Sequence, residues 1–486
     1  MASARAGSLP RRSRGHWRGR LHLGLVCILC GCQAVPARFA TCDNPETTSS
    51  RKSIALRQIA GDTARETVRR PLRSAGEVAL VEPALLLKGA ATGLVSKRIL
   101  PHLRSRPGPV VPTRPPLAVE SLEAELAKVS GDELQPASVN LYTEGAEALE
   151  ALETALEGAK CRIDVLMYLW DNDPLGWEVA RRIAAKASPT LTVRVLVDGG
   201  GNLLQGQPKT ATAGEANAVV CWLARQPHVQ IIRIRNPYFR FDHRKIVLVD
   251  GRLVWSGGRN FTHEAFFEAH DLTYTLTGPL TGEMATRYDG YWKEQGGPPG
   301  PPPPPPLPAD DANTLARLVR TSPFDTRLAR VVYTAVDRAQ HHVYVENPYF
   351  TDDVLFKKLV QARRRGVDVR VVVTLDSGST AIDAANRVLV NRLLSAGIRV
   401  YLYPGRLHVK ALGVDGVWAY FGTGNFDPLS LRHNRESGLA VSHGSVVGEL
   451  EERIFRADMR AEWEVHTPLR VSGYDYLMEV VATLLL

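Results

Sequence analysis

With 486 residues, 44% of them hydrophobic, the chain is long enough to bury a large core and, by length alone, to form two or three domains. Its formal charge of +9 invites a nucleic-acid reading, but residues 1–115 hold 20 Lys/Arg against 6 Asp/Glu, which leaves residues 116–486 at a net −5. A phosphate-backbone binder needs its Lys and Arg along the binding surface, so this balance gives no ground for expecting specific nucleic-acid recognition.

At the N-terminus, Arg11, Arg12, Arg14, Arg18 and Arg20 precede a short apolar run, "LHLGLVCILCGCQA". That is the shape of a secretory signal, and the run is too short for a comfortable membrane span. Leu29-Cys30-Gly31-Cys32 matches a bacterial lipoprotein box, which makes residues 1–31 the expected signal peptide and Cys32 the expected lipidation site. An uncleaved interfacial anchor and an ordinary cleaved signal are the alternatives; all three export the protein. Residues 32–116 are basic with a Pro-rich exit and read as a tether near the membrane surface, where each cation adds about 1 kcal/mol of attraction to anionic headgroups. After cleavage before Cys32, the cysteines are Cys32, Cys42, Cys161 and Cys221, whose spacing offers no metal pattern. Cys161 and Cys221 sit in apolar runs and read as packed thiols; Cys42 is unassigned.

From 117 to 295 helical patterns ("EGAEALEALETALEG", "GWEVARRIAAKA", "AGEANAVVCWLARQ") alternate with strand patterns ("RIDVLMYL", "LTVRVLVD", "VQIIRI", "KIVLVD", "LTYTL"). Residues 296–309 include "GGPPGPPPPPPLP", an extended polyproline spacer of about 3.1 Å per residue. Residues 310–486 repeat the alternation, with helices near 325–339, 352–364, 380–395 and 445–463 and strands near 342–346, 368–374, 398–403, 410–415 and 438–442. The fold class is α/β: two related halves, each a mixed sheet flanked by helices.

The repeat is sharpest where polar residues recur. "FDHRKIVLVDGRLVWSGGRNF" carries His243, Lys245, Asp250 and Asn260; "LHVKALGVDGVWAYFGTGNF" carries His408, Lys410, Asp415 and Asn425, each 165 positions later. The same offset carries Asp271 onto Glu436. Residues two apart on an extended strand share a face, so each His–Lys pair can act on one ligand. Asp250-Gly251 and Asp415-Gly416 are turn signals, so those aspartates are expected to be structural.

His-x-Lys-x-x-x-x-Asp, followed by a Gly-rich turn and Asn and present twice, resembles the phospholipase D superfamily. "YLWDNDPLG", "GGRNF", "ENPYF" and "GNFDPLSLRHNRES" are most similar to its bacterial cardiolipin synthase branch. Asp242 departs from the branch's usual Asn, and Thr423-Gly424 from its usual Ser and small residue. The resemblance implies that both motifs build one shared active site: His243 as nucleophile, His408 as acid, Lys245, Lys410, Asn260 and Asn425 on the phosphate oxygens, and no metal or other cofactor. Asp271 and Glu436, each 28 residues after its histidine, are expected to fold back and orient the imidazoles. His263, His270 and His433 have no repeated counterpart and are lesser candidates. The implied reaction is phosphatidyl transfer through a phosphohistidine, making cardiolipin from phosphatidylglycerol, with membrane glycerophospholipids and the membrane surface as partners and protein partners unknown. Hydrolytic phospholipase D, a nuclease of the same superfamily and a non-catalytic lipid binder are the competing readings. The implied location is that of an exported, membrane-associated lipoprotein.

Overall fold

The computed structural model describes residues 36–43, 50–69, 110, 115 and 117–485; the expected signal, Cys32 and most of the basic segment lie outside them. In the first half the strands are β1 (Gln135–Tyr142), β2 (Arg162–Met167), β3 (Thr192–Asp198), β4 (Val229–Ile234), β5 (Ile246–Val249), β6 (Leu253–Gly257), β7 (Ala269–His270) and β8 (Thr273–Thr277). The second half supplies β9 (Thr314–Thr321), β10 (His342–Glu346), β11 (Asp368–Thr374), β12 (Arg399–Tyr403), β13 (Arg406–Leu407), β14 (Ala411–Val414), β15 (Trp418–Gly422) and β16 (Glu436–Gly444). Runs such as Val195–Val197 and Val371–Val373 are apolar on both faces, as parallel strands covered by helices on either side require.

Two sheets were expected; one continuous sheet of 14 strands is found, in the order β12-β11-β10-β14-β15-β16-β9-β1-β8-β6-β5-β2-β3-β4. The second seven strands mirror the first, so the halves are related by a pseudo-two-fold. They are joined at the centre by the antiparallel pairing of β1 with β9, where Gln135, Pro136 and Ala137 face Ala316, Leu315 and Thr314. The sequence pattern hid both central strands. β1 carries Pro136, and β9 carries Arg317, which is buried only because it ion-pairs with Glu123. Both halves contribute to one core on a single face of the sheet, from Leu166, Leu248 and Tyr274 to Phe421, Leu439 and Phe455. On the opposite face each half has its own core. The shared core places the two motifs side by side.

Two further expectations are corrected. Residues 51–69 are not a tether but a helix docked on the first half: Arg51 is buried and donates to the carbonyls of Leu203 and Pro208 at 2.8 Å, and Asp62 accepts two bonds from Arg233 at 2.8 and 2.9 Å. Cys221 is not a free thiol but is joined to Cys42 by a disulfide that ties the N-terminal segment to the body. The polyproline stretch lies along the first half, its carbonyls at Pro298, Pro301 and Pro305 accepting from Trp292, Arg162 and Arg252. A helix at Gly473–Leu485, not foreseen, packs on Thr380–Ser395 through an Arg392–Glu479 ion pair of 2.8 Å. Among the described residues no helix is long and apolar enough to cross a membrane.

Candidate active site

Each motif is built around a hairpin. Val249 and Leu253 pair across Asp250-Gly251, both residues at positive φ (53° and 67°), and Asp415-Gly416 repeats this at 56° and 68°. A turn with two left-handed residues explains the Asp-Gly dipeptide. The Asp250 carboxylate accepts the backbone N–H groups of Lys160, Cys161 and Arg162 at 2.8–2.9 Å, and Asp415 accepts those of Gln340, His341 and His342 at 2.8–2.9 Å. Both aspartates therefore pin the hairpin to the start of the neighbouring strand, away from the chemistry.

His243 and Lys245 lie just ahead of β5, His408 and Lys410 just ahead of β14. Each lysine turns back to donate to the carbonyl of its own histidine, Lys245 at 2.7 Å and Lys410 likewise. The backbone of each histidine is held by the other half: His243 N–H donates to the Arg435 carbonyl at 2.9 Å, and His408 N–H to the His270 carbonyl at 2.7 Å. Arg435 and His270 immediately precede the carboxylates, and the carboxylates follow the same crossing.

Glu436 accepts from His243 Nδ1 at 3.2 Å, and Asp271 accepts from His408 Nδ1 at 2.7 Å. The expected folding of each carboxylate onto its own half is thus corrected, because β16 and the strand after β7 run to the boundary between halves and present Glu436 and Asp271 across it. Each histidine is completed by the partner motif, so neither half holds a whole site. The His243 Nδ1 also lies 3.1 Å from the Thr423 carbonyl, so its neighbours are both acceptors. Nδ1 must carry the proton in both rings, which leaves each Nε2 as the reactive nitrogen.

The two carboxylates are supported differently. Thr423 donates its hydroxyl to Glu436 at 2.5 Å and accepts from the Ser437 N–H at 3.0 Å. The equivalent position in the first half is Gly258, where a Cβ would stand 2.0 Å from Asp271 Oδ1. Threonine in place of serine keeps the hydroxyl this contact needs. Asp242, the other departure, is buried and held by Arg244 through bonds of 2.8 and 2.6 Å, which keep it ionised below the usual carboxylate range against the opposing effect of burial.

Tyr168, to which sequence reasoning gave no role, packs edge-on to the His243 ring at 4.6 Å and lies 4.9 Å under the Lys245 ammonium. It is buried and orients both groups. Asn260 and Asn425 are buried, and neither side-chain oxygen has a hydrogen-bond partner. His263 packs at a tilt against Phe267 at the surface helix, and His433 lines a separate cleft.

The electrostatics are those of an anion site. Burial, reinforced by Lys245, pulls His243 below the usual imidazole range, while Glu436 opposes. His408 is pulled down to about 4 by burial and Lys410, Lys245 to about 7 by burial and the nearby Lys410, and Lys410 to about 8 by burial. Burial acts to raise Asp271, but His408 and Lys410 outweigh it and hold the carboxyl at about 2. Two ammonium groups and two imidazoles in so dry a place oppose one another's charge, and a phosphodiester anion removes that penalty.

A family model described as "Cardiolipin synthase, PLD-like domain" matches residues 152–293 and 332–459. Cardiolipin synthase A of Serratia proteamaculans is 28% identical over 363 residues, covering 69% of this chain and 72% of its own. The same enzyme of Citrobacter koseri is 26% identical over 340 residues, covering 67% and 69%. The crystal structure of phosphatidylserine synthase from Haemophilus influenzae superposes with a TM-score of 0.58 at 15% identity, covering 75% of this chain and all of that one, and so shares the fold. With two motifs completed across one boundary and both matched by the family model, the chain belongs to the cardiolipin synthase, phospholipase D-like family and is an enzyme of its phosphodiester-exchanging type.

Proposed function

We propose that the protein is a phosphatidyl transferase that condenses phosphatidylglycerol to cardiolipin through a phosphohistidine. The carrying observation is the pair of imidazoles, each with Nδ1 tied to a carboxylate from the opposite half and Nε2 left for reaction. In the first step His243 Nε2 attacks phosphorus, the bond to the departing glycerol oxygen breaks, and His408 gives that oxygen its Nε2 proton. In the second, the hydroxyl of an acceptor phosphatidylglycerol passes its proton to His408 while its oxygen displaces His243 from phosphorus, restoring both rings. Lys245, Lys410, Asn260 and Asn425 donate to the nonbridging oxygens, where charge builds.

The assignment of His243 as nucleophile agrees with its neutral ring, held under Tyr168 and Lys245. His408 has the shorter carboxylate bond, 2.7 Å against 3.2 Å, which favours the imidazolium an acid must present. A bound phosphodiester raises the His408 pKa by supplying negative charge beside it. Burial of Lys245 and Lys410 (0% and 1% exposed) keeps the phosphorus site dry, which favours a lipid alcohol over water as acceptor. The Cys42–Cys221 disulfide supports an exported location, since such bonds persist in oxidising compartments.

Purified protein incubated with phosphatidylglycerol, with and without ethanol, tests this by mass analysis of the lipids. Cardiolipin plus glycerol, and phosphatidylethanol when ethanol is present, are expected. Phosphatidic acid alone would establish the hydrolase instead.

A further inference from the structure

The helix at Gly473–Leu485, GYDYLMEVVATLL, has the reverse polarity of an ordinary surface helix. Its two charged residues, Asp475 and Glu479, recur at helical spacing with Ala482 and form the face turned to the body. Asp475 is buried, accepts from the N–H and hydroxyl of Ser472 at 2.6 Å and lies 3.6 Å from Arg387, while Glu479 pairs with Arg392 at 2.8 Å. Away from that face, Tyr474, Tyr476 and Leu477 are 53%, 45% and 56% exposed, and Met478, Val480 and Val481 are half-buried. A helix that spends its carboxylates on the body leaves a contiguous apolar side outside, which marks a contact surface.

The helix borders the reaction centre. Ala482 packs with Ile382, Ala385 and Tyr349, and Tyr349 lies three residues beyond Glu346 at the end of β10. The next residue, Phe350, bridges to Phe426, the neighbour of Asn425. The helix also packs on Pro428–Arg432, the short helix that follows Asn425 and Phe426. Tyr349 donates its hydroxyl to the Ser377 carbonyl at 2.9 Å, and from the adjoining Asp376 the frame continues into the first half: Arg406 joins Asp376 at 3.3 Å to Glu264 at 2.6 Å. Glu264 belongs to His263–Phe267, the short helix that follows Asn260, and its last residue, Phe267, is exposed. Exposed apolar side chains therefore adjoin the segments that carry both motif asparagines.

We propose that the Gly473–Leu485 helix is an interfacial docking element that lies in the headgroup layer of a phospholipid bilayer and seats the reaction centre on the membrane that holds its substrate. The proposal rests on the lipid-substrate part of the reading above and is indifferent to whether the acceptor is an alcohol or water. A bilayer is the occupant because this face is continuous with a site whose substrate carries two acyl chains, and because tyrosines set among leucine, methionine and valine match the boundary between headgroups and chains. Its 13 residues span ~20 Å against a hydrocarbon core of ~30 Å, so the helix lies along the membrane. With both carboxylates turned inward, its hold on the bilayer is apolar and insensitive to salt.

The test compares the full chain with the variant Tyr476→Ser/Leu477→Ser on two forms of one headgroup, phosphatidylglycerol in vesicles and dihexanoyl-phosphatidylglycerol below its micelle concentration. Turnover of vesicle lipid is expected to fall by about tenfold or more, equally at low and high salt, while turnover of the monomeric lipid stays at the wild-type level. Vesicles containing a diazirine-bearing phosphatidylcholine should label Tyr474–Leu477 of the wild type, as read by mass after digestion. Equal losses on both lipid forms, or no loss on either, would overturn the docking role. So would a loss seen only at high salt, which would assign docking to the cations of the chain, or wild-type protein left unlabelled at Tyr474–Leu477. Phosphatidic acid in place of cardiolipin would overturn the transferase reading and leave the docking element intact; wild-type protein that turns over neither lipid form would overturn both.

Discussion

Position 270 in the first half and position 435 in the second are equivalent, and each gives its carbonyl to the opposite motif's histidine. Their side chains have diverged. His270 stacks on Tyr403 at 4.9 Å and pairs with Asp458 at 2.7 Å over the fully buried Glu346, which burial and Asp458 push well above the carboxylate range. The strand position matching Glu346 in the first half is Leu166, as the partners Ala411 and Ile246 show. Arg435 instead lies over Tyr291 beside an arginine-lined cleft. The duplication therefore keeps the backbone frame of the chemistry while giving the His408 flank a packed acidic cluster and the His243 flank an arginine-lined cleft. A symmetrical reaction centre set in unlike surroundings can treat donor and acceptor differently.

The largest effect that sharpens this comparison is loss of either imidazole. His243→Ala and His408→Ala should each lower phosphatidylglycerol turnover by about 10³-fold or more, because nucleophile and acid act as a unit. Substantial turnover in either folded variant would break the shared-site account. Next come the crossed carboxylates: Glu436→Gln and Asp271→Asn should each cost about 10²-fold in kcat. In imidazole ¹⁵N spectra Glu436→Gln should move His243, and Asp271→Asn should move His408; perturbation of the same-half histidine alone would contradict the crossing.

A smaller effect concerns pH. Lys245 and Lys410 lose their charge as pH rises through about 7 and about 8, so kcat/KM for an anionic phosphodiester should fall across that window. On the acid side the rate should fall where the nucleophile His243 takes up a proton, which burial and Lys245 place below the usual imidazole range. A rate that still climbs from pH 7 to 9 would show that the lysines stay charged. Smallest for activity are the hairpin aspartates: Asp250→Asn and Asp415→Asn should each cost about 1–3 kcal/mol of stability through lost backbone acceptance, with near-normal activity in the folded fraction. A fully stable but inactive Asp250→Asn protein would place that residue in the chemistry.

Much of this was legible before the fold. The His, Lys, Asn and Asp-Gly positions recur at one offset, and their local spacing carries their local geometry. The crossing was not legible, because sequence distance ties Asp271 to His243 whereas strand order ties it to His408. The central strands were missed because Pro136 and Arg317 break the apolar pattern that marks a buried strand. The Cys42–Cys221 bond and the docking of Arg51–Arg69 depend on contacts over more than 150 residues, which local composition does not report. Tyr168 had a signal only in hindsight, as an aromatic at the end of an apolar strand pointing toward a cationic motif.

The most direct test of the central claim uses a phosphatidyl ester of p-nitrophenol, whose leaving group needs no proton. His408→Ala should release a stoichiometric burst of nitrophenolate and leave a phosphatidyl adduct on His243, identifiable by mass after digestion, whereas His243→Ala should give neither. A burst in neither variant, or an adduct on a residue other than His243, would contradict the account.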